Sequence, residues 1–303
     1  MTQAAPLAAE NSARVTLADG GIETALTERL GQELPEFAAF VLLDSVEGRA
    51  ALNEYYRPFV ELAAERGLPL VLDTPTWRAN PDWGARVGAD AAALERANAD
   101  AVALVRQAGL DDTVVNGCVG PRFDDYVAEE RMTEAAAEAY HAPQIQALAE
   151  AGADRVTAVT MIDAAEGIGV VRAARAARVP VAVSFAVGAD GMLGDGSSLA
   201  AAIAATDAAT EGYADGFLVN CAHPSEVARG LAAGAGAPEL SRIIGFRLNA
   251  AEHGDEGAGD APADFARGVL ALRDLAPQAV AFGGCCGTDA PHIAALADAA
   301  QAE

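Results

Sequence analysis

DRVTAVTMIDAAEGIGVVRAARAARVPVAVSF, residues 154–185, holds one full turn of the pattern that runs through the chain. Asp154–Thr160 and Val179–Phe185 are short Val-rich runs with little polar alternation, as expected of strands covered on both faces. Between them, Ala164–Ala177 spaces its apolar residues by three and four, which gives a helix one buried face. Outward from this unit the same alternation recurs. Strands are predicted at Val15–Ala18, Leu68–Asp73, Thr113–Asn116, Gly216–Asn220, Arg242–Leu248 and Ala279–Phe282. Helices are predicted at Gly48–Arg66, Ala89–Ala108, Thr133–Ala151, Ser198–Glu211, Pro224–Ala233, Ala263–Leu275 and Pro291–Ala302. Eight strand–helix alternations fit a single (β/α)8 TIM barrel of the α/β class better than an open doubly wound sheet. No linker composition divides residues 1–303, so one domain with its core at about 15–300 is expected. Ala250–Ala263, rich in Gly and acids, reads as a mobile loop after the seventh strand.

Composition narrows the chemistry. The 303 residues are 52% hydrophobic, which suits a large core and argues against disorder. All 20 bases are Arg, set against 44 acids for a net charge of -24. Without Lys there is no Schiff-base chemistry and no Walker A lysine. Such an acidic field repels nucleic acid and anionic lipid, so neither partner is expected. No stretch approaches a membrane span, and Met1–Ala13 has no basic-then-apolar leader, so a cytoplasmic location is expected.

In a parallel barrel, functional groups sit at the carboxyl ends of strands. All four cysteines fall there: Cys118, Cys221, and the adjacent Cys285 and Cys286. Neighbouring strand residues face opposite ways, so Cys285 and Cys286 converge only where Gly283, Gly284 and Gly287 let the chain leave the strand. Cys221 ends the sixth strand, near enough to supply a third sulfur. Three thiolates with one open position make a catalytic zinc site. A redox-active pair, or two small residues in a tight turn, explains the same adjacency. Cys118 reads as a small buried residue.

Asp19-Gly20-Gly21, Gly117-Cys118-Val119-Gly120-Pro121, Val219-Asn220-Cys221 and Gly283-Gly284-Cys285-Cys286-Gly287 together resemble the homocysteine S-methyltransferase family, over about residues 15–300. The resemblance implies Zn2+ held by Cys221, Cys285 and Cys286, and a small-molecule thiol or selenol acceptor methylated by a sulfonium or quaternary ammonium donor. It assigns Asp19 to the acceptor's amino group and places Gly20 and Gly21 beside it. A zinc-bound thiol is deprotonated outright, whereas a free one has a pKa of ~8.5.

Trp77, past the second strand, is a candidate cation–π partner for the donor, with Trp83 second and rim packing the competing explanation. Family members that use homocysteine carry a Glu at the end of the fourth strand, where this chain has Thr160, so weak homocysteine use is expected. Asp163 or Glu166 can replace that carboxylate or simply start a helix. Asn220 and Asn249 are polar strand-end residues suited to orienting the substrate, or, for Asn220, a metal-bound sulfur. His223 reads as structural, although it is the one residue convincingly placed to serve as base in a zinc hydrolase. His141 and His292 read as peripheral, and His253 belongs to the acidic loop. A non-catalytic zinc- or thiol-sensing barrel is the further alternative.

Overall fold

The computed structural model describes residues 15–123, 131–255 and 257–302. Met1–Ala13, read above for targeting signals, lies outside them. Eight parallel strands form a closed barrel in sequence order, with β8 hydrogen-bonded to β1. They are β1 (Thr16–Ala18), β2 (Leu70–Asp73), β3 (Val114–Val119), β4 (Arg155–Met161), β5 (Val181–Ala186), β6 (Gly216–Asn220), β7 (Ile243–Leu248) and β8 (Ala281–Gly284). The crossover helices are α1 (Val46–Arg66), α2 (Ala91–Ala108), α3 (Glu134–Glu150), α4 (Ala164–Ala177), α5 (Leu199–Thr210), α6 (Pro224–Ala233), α7 (Pro262–Ala271) and α8 (Ala290–Gln301).

Local chemistry explains where the helices begin. Ser45, Asp90, Thr133, Asp163 and Ser198 each precede a helix and accept a backbone N–H of its first turn. Most ends shift by one or two residues, and three departures are more marked. A short helix, Pro81–Arg86, precedes α2, started by the Asn80 cap and by Pro81. The predicted helix over 263–275 stops at Ala271 and tightens to a 3-10 turn at Leu272–Asp274, just before Pro277. β3 runs three residues beyond the predicted Asn116, to Val119.

The strands sort their side chains by alternation. Phe246 of β7 is fully buried and stacks on Phe282 of β8, ring centroids 6.4 Å apart. Arg247 follows it and so projects the other way, where it pairs with Asp73 at the end of β2 and Asp19 just after β1. β7 neighbours only β6 and β8, so these pairs cross the barrel's interior. The interior is therefore partly polar. Arg155 donates to Asn116 (2.9 Å), and Asn116 donates to Asp73 (2.6 Å). Buried charges of this kind persist only when paired and hydrogen-bonded.

The acid-rich stretch after β7, expected to be a mobile loop over Ala250–Ala263, enters α7 at Pro262, and its described residues before that are tied down at several points. Ala250 donates its N–H to Cys286, Asp260 donates to Ala250, and the side chains of His223 and Asp260 lie 3.0 Å apart. Among the described residues, no helix is long and apolar enough to cross a membrane.

Candidate functional site

The exit of β7 organises the cysteines. Cys221 donates its N–H to the Arg247 carbonyl, and Cys285 donates to that of Leu248 (2.8 Å). Cys286 donates to the Asn249 side chain (3.0 Å). Residues 247–249 are thus clamped between the two cysteine-bearing turns, and the three sulfurs lie within 4.8 Å of one another. Cys221 and Cys286 are 3.9 Å apart, too far for a disulfide, and all the cysteines are free. The Asn249 side-chain oxygen is thus taken up by a backbone N–H, and the residue does not line the adjoining cavity.

Two non-glycine residues at this mouth take left-handed backbone: Cys221 (φ 56°) and Thr160 (φ 64°). Each such residue costs about 1–3 kcal/mol and persists only where its surroundings hold it. Asn220 holds both. It immediately precedes Cys221, accepts the Thr160 N–H (3.0 Å), donates to the Thr160 hydroxyl (2.9 Å) and accepts from Ser184 (2.6 Å). The Asn220 amide expected to orient substrate is thereby committed to the frame, although the residue still borders the cavity.

That cavity, about 220 Å³, opens beside the sulfurs. Gly20, Gly21, Trp77, Thr160, Cys118 and the cysteine trio line it, as do Glu23, Asp73, Arg78 and Arg247. Gly21 is needed for close approach: a Cβ there would sit 2.3 Å from the Cys285 carbonyl oxygen. Gly120 leaves room for Trp77 in the same way, with a hypothetical Cβ 2.5 Å from the indole ring. Arg78 stands 4.8 Å from the Trp77 ring centroid, so a resident cation already meets the face reserved above for the donor. Trp83 is buried outside the cavity, stacked by Arg78 and Arg86.

Asp19 lies back from the cavity. Its carboxylate is fully buried, with one oxygen on Arg247 and the other accepting from Tyr55 (3.3 Å). It sits behind Arg247 rather than on the cavity wall. Burial pushes it up to about 7, against the pull of Arg247. Burial also opposes charge on Arg247, but Asp73 and Asp19 more than offset this and raise its pKa. Glu23, half-buried beside the glycines, is pushed up to about 8 by loss of water. Contact with Cys221, ahead of burial, drives the Cys285 thiol up to about 12.

Neither proposed substitute for the fourth-strand carboxylate reaches the cavity. Asp163 caps α4, and Glu166 is buried against His141 (2.8 Å) and the Arg122 N–H (2.7 Å). His141 is accordingly a core residue. His223 caps α6, is engaged by Ser225 and Asp260, and does not line the cavity beside the sulfurs, where a hydrolytic reading needs its base. His253 faces Glu226, and His292 lies against the Asp260 carbonyl.

Sequence reasoning passed over Arg247, Asp73 and Glu23. A signal existed for the first: Arg247 is the only charge in the strand IIGFRL, and a lone charge in a doubly covered strand must find partners inside.

The family described as Homocysteine S-methyltransferase matches residues 16–300, and the chain belongs to it. It is thus a methyltransferase of the thiol S-methylating kind. Crystal structures of the homocysteine methyltransferase MmuM from Escherichia coli share the fold. The oxidized form aligns at TM-score 0.77 and 24% identity over 98% of this chain and 100% of that one. The metallated form aligns at 0.73 and 24%, over 95% and 96%. No curated protein matches the sequence.

Proposed function

We propose that the chain moves a methyl group from a sulfonium or quaternary ammonium donor to a small thiol activated at zinc held by Cys221, Cys285 and Cys286. The observation that carries this reading is the spacing of the sulfurs. Tetrahedral zinc with ~2.3 Å bonds sets its sulfurs about 3.8 Å apart. Cys221 and Cys286 stand at 3.9 Å with the third sulfur close by, so the trio fits the ion with little movement. When bound, zinc offers a fourth position at which an acceptor thiol loses its proton.

The chain's own residues do the rest. The β7 exit fixes the three sulfurs from behind, and Asn220 holds the strained turn that presents Cys221. The cavity receives the acceptor against Arg247 and the glycine turn, with Trp77 and Glu23 on its walls. Bringing donor carbon and acceptor sulfur into line in one enclosure removes much of the entropic barrier.

The test is incubation of zinc-loaded protein with a thiol panel and S-methylmethionine, S-adenosylmethionine or a betaine, followed by mass spectrometry. A thiol that gains one methyl group, with loss of the product in Cys221→Ser, supports the reading. Transfer unchanged in the metal-free protein contradicts it.

A further inference from the structure

We propose that Arg247 selects an acceptor thiol whose far end is an oxyanion and which carries no ammonium group; this rests on the thiol-methylating reading of the cavity. The cavity has the cysteine trio on its wall and Arg247 on the same lining, with about 12% of the arginine side chain exposed. Both carboxylates beside that guanidinium are already engaged. The two oxygens of Asp19 meet Arg247 and Tyr55, and the two of Asp73 meet Arg247 and Asn116. Neither carboxylate leaves an oxygen without a protein donor.

An ammonium brought here meets the like charge of the guanidinium, and each carboxylate oxygen it would seek already accepts from a protein donor. A carboxylate meets a guanidinium with five N–H donors, only two of them committed to Asp19 and Asp73. Thr160 lines the same cavity, its backbone N–H and its hydroxyl both bonded to Asn220. Arg247 occupies, as part of the protein, the position of a cation that an amino-acid thiol would otherwise have to bring.

Three thiols of matched skeleton test this by calorimetric titration into the zinc-loaded protein. They are homocysteine, 4-mercaptobutyrate (homocysteine without its amino group) and 3-aminopropanethiol (homocysteine without its carboxylate). The expected order is 4-mercaptobutyrate tightest, by at least about ten-fold over homocysteine, and 3-aminopropanethiol weakest. In Arg247→Met the preference should shrink to within about three-fold, whereas Arg247→Lys, which keeps the charge, should retain its direction.

Equal or tighter binding of homocysteine or of 3-aminopropanethiol overturns the proposal, as does the absence of any thiol binding. If Arg247→Met does not fold, the wild-type order together with Arg247→Lys decides. Methyl transfer is scored separately. Transfer that prefers homocysteine refutes the role of Arg247 and leaves the enzymatic reading intact. The binding order without transfer to any thiol does the reverse.

Discussion

Asn220 shows how one side chain supports a site without touching chemistry. Its amide satisfies Thr160 twice and Ser184 once, next to two left-handed residues. Asn220→Ala leaves buried groups unpaired, so the denaturant midpoint should fall by the equivalent of about 1–3 kcal/mol. Zinc affinity should drop by roughly 10–100-fold, as for other residues that orient ligands; unchanged affinity by competition with a chelator contradicts the assignment. Asp19 and Glu23 make a second, pH-dependent prediction. Both have folded pKa values, about 7 and about 8, above their ordinary 3.8 and 4.5, so the folded state binds more protons than the unfolded state in between. Their contribution to stability is complete below about pH 4 and is lost as pH rises through 7 and 8. The melting temperature of the metal-free protein should decline between pH 5 and pH 9, and Glu23→Gln should make that decline shallower. A Glu23→Gln curve parallel to the wild type contradicts the burial argument.

At the scale of elements, the site is a junction of four exits: β1 with its glycines, β6 with Cys221, β7, and β8 with its paired cysteines. Gly21 packs against Cys285 so closely that Gly21→Ala must move one turn or the other. That overpacking should cost about 1–3 kcal/mol and weaken zinc binding, while helix content by circular dichroism stays the same. Unaltered metal affinity would separate the two turns. Much of this level was legible beforehand, because the Val-rich runs and the helices between them carry their periodicity locally. Gly216–Asn220, Ala164–Ala177 and Pro224–Ala233 have the predicted ends. The short helix at Pro81–Arg86 was not legible, since its Asn-Pro start reads equally as a turn.

For the whole molecule, barrel closure decides what sequence order conceals. Asp19 and Arg247 are 228 positions apart, yet β1 and β7 are separated only by β8, and the interior brings the pair into contact. The cysteine trio could be anticipated from residue type and strand-end position. The Asp19–Arg247–Asp73 triad could not, because pairing across a barrel depends on inward register, which no local pattern reports. That hidden pairing is also what moved Asp19 from the cavity wall to its support. The most direct test of the central claim is X-ray absorption at the zinc edge on the loaded protein, before and after addition of a thiol acceptor. One zinc per chain should show three sulfurs at about 2.3 Å and a lighter fourth neighbour, replaced by a fourth sulfur when the thiol is present. A zinc shell without sulfur, or one with three sulfurs that the thiol leaves unchanged, would contradict the account.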